Sequence, residues 1–170
     1  MVVEESHIIV ALVEDKPGVM FRISSLIRRR GFNIDSIAVG KTEHEGLSRI
    51  TMTMKGDKKI VEQLIKQLAK IVEVVKISEL KEDEAVIREL ALVKVHAPDH
   101  AARSDIIQYA SIFRGRIVDV ARDSLTIEIV GAPSKIVAFT NLMRSYGLEE
   151  IAKTGIVAVS RGPKAIKPKT

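Results

Sequence analysis

The chain has no cysteine and no tryptophan, and only 4% of its 170 residues are aromatic. Without cysteine there is no disulfide, no thiolate metal site and no thiol nucleophile. The shortage of aromatics argues against a surface that stacks unpaired bases. No apolar run approaches the roughly 20 residues that span a bilayer. The start, Met1-Val2-Val3-Glu4-Glu5, lacks the basic opening and apolar core of a signal peptide. A cytoplasmic protein without membrane attachment is the expectation. Also absent are a phosphate loop ending in Gly-Lys-Ser/Thr, a Gly-x-Gly-x-x-Gly fingerprint, a Gly-x-Ser-x-Gly elbow and a paired-histidine zinc helix.

What is present is 46% hydrophobic residues, 29% charged residues of both signs and a net charge of +5. That composition suits a globular chain of one sizeable or two small domains. The excess of cations comes partly from Arg28-Arg29-Arg30 and partly from the tail Arg161 to Lys169.

The stretch Glu14-Asp15-Lys16-Pro17-Gly18-Val19-Met20 organises the first half. Before it, His7 to Val13 reads as a strand apolar on both faces, hence central in a sheet. After it, Val19, Ile23, Leu26, Ile27 and Arg30 recur at helical spacing, and Gly31 is a natural stop. The stretch is therefore a strand-to-helix turn. Pro17 suits a helix entry, and Gly18 lets the backbone come close to whatever lies above it. Unpaired N–H groups at the positive end of a helix form a cradle for a carboxylate or phosphate. An ordinary tight turn has the same spacing.

Asn33 to Gly40 and Leu47 to Met54 read as strands. In the second, Ile50, Met52 and Met54 face inward and Arg49, Thr51 and Thr53 outward. Gly56-Asp57 caps a helix carrying Ile60, Val61, Leu64, Ile65 and Leu68. Val72 to Ile77 is a fourth strand, and a charged linker follows. The order then recurs: a strand over Glu89 to Ala97, a helix from Ala101 to Phe113 with Ile106, Ile107, Ala110 and Phe113 as its stripe, and a hairpin around Asp123-Ser124. A helix from Pro133 to Gly147 follows, with a last strand over Ile156 to Val159. The fold class is α+β: two tandem ferredoxin-like βαββαβ domains, each an antiparallel four-stranded sheet with helices on one face. The other face or an edge of each sheet is left open, which invites pairing with a second copy.

Catalytic signals are weak. Pro98-Asp99 between His96 and His100 spoils the one-face geometry a metal pair needs. An RNA-binding sheet would need aromatics on central strands, where this chain has Ile, Val, Met and Thr. A phosphatase of the same topology would need an arginine in the first turn, where only Lys16 stands. Arg28-Arg29-Arg30 reads as a solvated helix end, a nucleic-acid patch or a docking surface for an acidic partner.

Asp15-Lys16-Pro17-Gly18-Val19-Met20-Phe21-Arg22-Ile23, followed by Arg30-Gly31-Phe32-Asn33-Ile34-Asp35-Ser36, resembles the start of an ACT domain. With Glu89-Leu90-Ala91-Leu92-Val93-Lys94-Val95, Ile112-Phe113-Arg114-Gly115-Arg116-Ile117-Val118-Asp119-Val120 and Thr154-Gly155-Ile156-Val157-Ala158-Val159-Ser160-Arg161-Gly162, the chain resembles the small, regulatory subunits of acetolactate synthase from His7 to Lys164. The resemblance implies an N-terminal ACT domain over 1–79, a linker over 80–88, a C-terminal ferredoxin-like (ACT-like) domain over 89–162 and a disordered basic tail over 163–170.

It also implies a non-catalytic homodimer with no nucleic acid among its partners. Such subunits bind and activate the catalytic large subunit. They confer feedback inhibition by valine or another branched-chain amino acid held between paired ACT domains. Cofactors, namely thiamine diphosphate, Mg and FAD, are implied for the large subunit only. Carried over to this chain, the effector site takes Asp15, Pro17, Gly18, Val19 and Met20 from the turn, and Asn33, Ile34 and Gly40 from the second strand of the partner copy. Many relatives have Asn in place of Asp15. The turn His96-Ala97-Pro98-Asp99-His100 has no glycine, so one type of site, confined to the first copy, is expected. The alternative is an ACT-type sensor serving another enzyme or a regulator of transcription.

Overall fold

The computed structural model describes residues 5–168, with the Glu5 side chain left aside. Backbone contacts divide the chain into two units, one running to Val86 and resuming at Ile156, the other Ile87–Gly155.

The first unit is built from β1 (Glu5–Glu14), α1 (Val19–Arg30), β2 (Ile34–Lys41), β3 (Leu47–Gly56), α2 (Lys58–Leu68) and β4 (Val74–Leu80). The sheet order is β2-β3-β1-β4, all antiparallel. Alternation along β1 sends Ile9, Ala11 and Val13 to the helix side, where they meet Val19 and Ile23 of α1 and Val61, Leu64 and Leu68 of α2. Each such buried Val, Leu or Ile side chain stabilises the unit by about 1.5–3 kcal/mol. Asp57 caps α2 by accepting from the Ile60 N–H at 2.9 Å, and its stripe falls as the spacing predicts, except that Ile60 is largely exposed. At the end of α1, Gly31 has a φ of 68°, and its N–H and that of Phe32 bond back to the carbonyls of Arg28 and Ile27. That left-handed stop is why glycine stands there.

The opposite face of this sheet is not open at its centre. Val10, Leu12, Thr51 and Thr53 are all buried there, so the outward threonines are outward only in the sense of facing away from the helices. The chain resuming at Ile156 accounts for part of this cover. Arg49, beside Leu12 on that face, donates to the Ala158 carbonyl at 2.6 Å. Burial lowers the pKa of this arginine, against the pull of Glu43. The edge strand β2 stays open, with Ile37 and Val39 exposed.

Two boundaries differ from the sequence reading. β4 begins at Val74, because the chain leaves α2 through successive turns, with the N–H groups of Lys70, Ile71 and Val74 bonding three residues back. It runs on to Leu80, taking in residues expected in the linker. The 80–88 linker shrinks to the turn between Leu80 and Ala85, since β5 starts at Ala85 and keeps strict alternation as far as His96. The charged Glu89 is drawn into that strand as a buried residue paired with Lys153 at 3.7 Å.

The second unit holds most of β5 (Ala85–His96), then α3 (His100–Ile112), β6 (Arg116–Val120), β7 (Ser124–Gly131), α4 (Pro133–Arg144) and β8 (Leu148–Lys153), in sheet order β6-β7-β5-β8. Its core gathers Val93, Ile106, Ile127, Ile136, Phe139 and Met143. Phe113 meets Phe139 edge-on at 5.4 Å. On α3, Ile107 is exposed and Tyr109 packs on the core in its place. Gly115 follows Arg114, whose φ is 53°. A Cβ on Gly115 would stand 3.1 Å from the Glu128 carbonyl, a tighter contact than side chains ordinarily make.

The fourth strand along this sheet is β8, a strand the sequence reading lacks, and the segment at Ile156 to Val159 is a fifth strand that pairs with β5 off that path. That segment forms β9 (Val157–Ser160), which belongs by its contacts to the first unit. Of 163–170, expected to be disordered, Pro163 to Pro168 carries no helix or strand. Lys164 there lies 3.6 Å from Glu84. Lys169 and Thr170 lie outside the described residues.

Candidate functional site

The turn after β1 is shaped by backbone alone. Gly18 is the N-cap of α1 with a φ of 88°, and no side chain caps the helix. The Asp15 N–H bonds to the Gly46 carbonyl at 2.8 Å, and the Lys16 N–H to Glu14 at 3.0 Å. The Val19 N–H reaches back to Lys16 at 3.4 Å. The N–H groups of Gly18, Met20 and Phe21 enter none of the turn hydrogen bonds among the described residues. They are the orphan donors at the positive end of a helix, fitted to an anion such as a carboxylate.

Asp15, Pro17 and Gly18 are exposed, Val19 is buried beneath the turn and Met20 is 37% exposed. Two cations flank the cradle. The Lys16 ammonium is 2.7 Å from Glu14, a hydrogen bond that raises its pKa, with the Glu14 charge adding to it. The Lys41 ammonium is 4.0 Å from the Asp15 carboxylate. Lys41 escaped the sequence reading, which left it in a polar turn. The signal that finds it is register, since Lys41 pairs with Ser48, which pairs with Val13.

Register also shows what one chain does not bring together. Ile34 pairs with Met54, and Met54 with His7. Asn33 and Ile34 thus sit at the far end of the sheet from the turn, about 24 Å away along the strands. Gly40 pairs with Arg49 near the turn's end, but on the edge strand. Asn33 is exposed and joins no side-chain hydrogen bond among the described residues. Within one chain Asn33 and Ile34 therefore do not meet the turn.

The equivalent places in the second unit are filled from within. At the start of α3, Asp99 accepts from the Ala102 N–H at 2.8 Å and occupies its own cradle. Arg116, which precedes Ile117 as Asn33 precedes Ile34, is bound to Glu128 at 2.6 Å. His96 lies 3.4 Å from Glu149. Among the described residues no group of three or more His, Asp or Glu side chains is placed to hold a metal, and no helix is long and apolar enough to cross a membrane.

Two βαββαβ units, the first with an uncapped glycine turn and an open edge strand, define an ACT-type protein. Residues 9–76 match the family model for the AHAS small subunit-like ACT domain. Residues 88–162 match that for the small subunit of acetolactate synthase. The "Probable acetolactate synthase small subunit" of Methanothermobacter thermautotrophicus is 51% identical over 95% of this chain and 96% of the relative. The acetolactate synthase small subunit of Mycolicibacterium smegmatis is 50% identical over 95% of this chain and 94% of its own length. The crystal structure of the small subunit from Thermotoga maritima superposes with a TM-score of 0.86 at 47% identity, covering 94% of this chain and 99% of that one. The chain belongs to the acetolactate synthase small-subunit family.

Proposed function

We propose that this chain is the non-catalytic regulatory subunit of acetolactate synthase. In this reading it binds the catalytic large subunit, raises its activity and makes it sensitive to valine or a related branched-chain amino acid. The observation that carries the effector site is the pair of unengaged half-sites in the first unit: the uncapped turn at Gly18 and the free Asn33 beside an open strand edge.

Two copies joined side by side through β2 about a two-fold axis would run their β2 strands antiparallel. The Ile34 end of one strand then lies level with the Gly40 end of the other, toward the turn. The turn N–H groups take the α-carboxylate. The partner's Asn33 supplies both a donor and an acceptor. Asp15 offers a carboxylate to the ammonium, in competition with Lys41. The apolar side chains of Met20 and the partner's Ile34 hold the branched group, with Val19 packed beneath the turn as its support. Burying one such group is worth about 1.5–3 kcal/mol, enough to discriminate against alanine but little against leucine or isoleucine.

Two-fold symmetry gives one site per chain. Coupling is reciprocal, so binding the large subunit must change valine affinity by the same factor that valine changes large-subunit binding. The synthase chemistry and its thiamine diphosphate, Mg and FAD belong, in this reading, to the large subunit. The test is acetolactate formation by the large subunit with and without this chain, and with and without valine. Stimulation by the chain, reversed by valine, is expected. Activity unaffected by the chain, or acetolactate formed by the chain alone, would overturn the reading.

A further inference from the structure

The outer side of α1 and the turn between α2 and β4 enclose a groove of about 600 Å³. Its composition is unusual for a solvated surface. Phe21 and Val72 stand in it at 75% and 87% exposure. Arg28, Arg29 and Lys70 line it, and none of them is in an ion pair among the described residues. Among the described residues the lining has no carboxylate. Glu73, just beyond it, is spent on Arg22 at 2.6 Å. Three uncompensated cations around two exposed apolar side chains call for a partner that brings negative charge and an apolar side chain together.

We infer that this groove is the docking site for a segment of the large subunit that carries carboxylates beside an apolar anchor. The inference rests on the regulatory-subunit reading and adds to it the surface and the chemistry of the contact. Its position gives the effector a short route to the partner. The cradle uses the N–H groups of Gly18 and Met20, and the groove begins at Phe21 on the same helix. An effector that reorients the first turn of α1 moves one wall of the groove directly, which is the differential contact that coupling between two sites requires. The arginines also complement the negative end of α1, but that role does not account for Lys70, Phe21 or Val72.

The test measures affinity of the full-length chain for the acetolactate synthase large subunit. The variants are Arg28→Glu/Arg29→Glu, which reverses charge, and Val72→Asp, which lies outside the helices and leaves the α1 terminus intact. Each is expected to bind about tenfold or more weakly, with unchanged valine binding by calorimetry and an unchanged melting curve. Wild-type affinity is expected to fall as salt rises. Folded variants that bind within about twofold of wild type would overturn the docking site while leaving the regulatory reading intact. The docking site is also overturned if the variants lose only binding to a single-stranded RNA oligonucleotide. Failure of the wild-type chain to bind or stimulate the large subunit would sink the regulatory reading, and the docking site with it.

Discussion

The two units share their architecture down to the irregularities. The register slips between β1 and β4 at Leu12/Val13, and between β5 and β8 at Lys94/Val95. It slips again at Ile34/Ser36 in β2 and at Ile117/Asp119 in β6. The units diverge where the first strand hands over to the first helix. Pro17-Gly18 leaves a helix end open, whereas Pro98-Asp99 closes it with the protein's own carboxylate. Asn33 is free, whereas its counterpart Arg116 is held by Glu128. The comparison teaches that two turns in equivalent places on one scaffold differ by whether a side chain caps the helix from inside. In the second unit the Asp99 carboxylate takes up the Ala102 N–H and puts its own negative charge where a ligand carboxylate would sit.

Substitutions can sharpen or break that contrast. Phe139→Ala, which empties the centre of the second unit's core, is expected to cost about 3–5 kcal/mol in urea unfolding. Under native conditions valine affinity should not change, because the proposed site lies in the first unit. Gly18→Asp places a side chain at a φ of 88° and a carboxylate in the cradle. Valine binding should weaken at least about a hundredfold by calorimetry, the worth of two lost charge-assisted hydrogen bonds. Asp99→Ala removes the internal cap of α3 and should cost about 1 kcal/mol of stability in thermal melts, with valine binding untouched. If Asp99→Ala weakened valine binding as Gly18→Asp should, the contrast between the turns would fail.

The smallest effect concerns pH. The Tyr146 phenol is pushed up to about 12, first by the neighbouring Tyr109 phenol, then by burial and by the Asp105 carboxylate, to which its hydroxyl donates at 3.3 Å. A phenol raised above the unfolded value of about 10 favours folding below that pH, and the contribution is lost as pH climbs toward the folded value. Tyr109→Phe should return the Tyr146 titration, followed by tyrosinate absorbance, toward the ordinary range.

Much of the scaffold was legible because helical stripes and strand alternation are local signals. Ile136, Phe139 and Met143 fell at helical spacing and are fully buried. The strand Leu148–Lys153 was not legible. Only Leu148 and Ile151 in it are half-buried, and its charged residues read as loop until β5 supplies their partners. Arg88, beside the charged run before it, hid the true start of β5 at Ala85 for the same reason. At the site, Pro17-Gly18 announced a tight helix entry. The free N–H groups and the closed counterpart at Asp99 are properties of hydrogen bonding that spacing does not reveal. The link from the turn to Asn33 came from resemblance, since within one chain they stand at opposite ends of the sheet.

The central claim is that one of two equivalent folds binds an amino acid and the other does not. Calorimetric titration of the full-length chain with valine tests it most directly. The account predicts one valine per chain, abolished by Gly18→Asp and retained in Asp99→Ala. No heat from a folded wild-type protein, or two valines per chain, would contradict it.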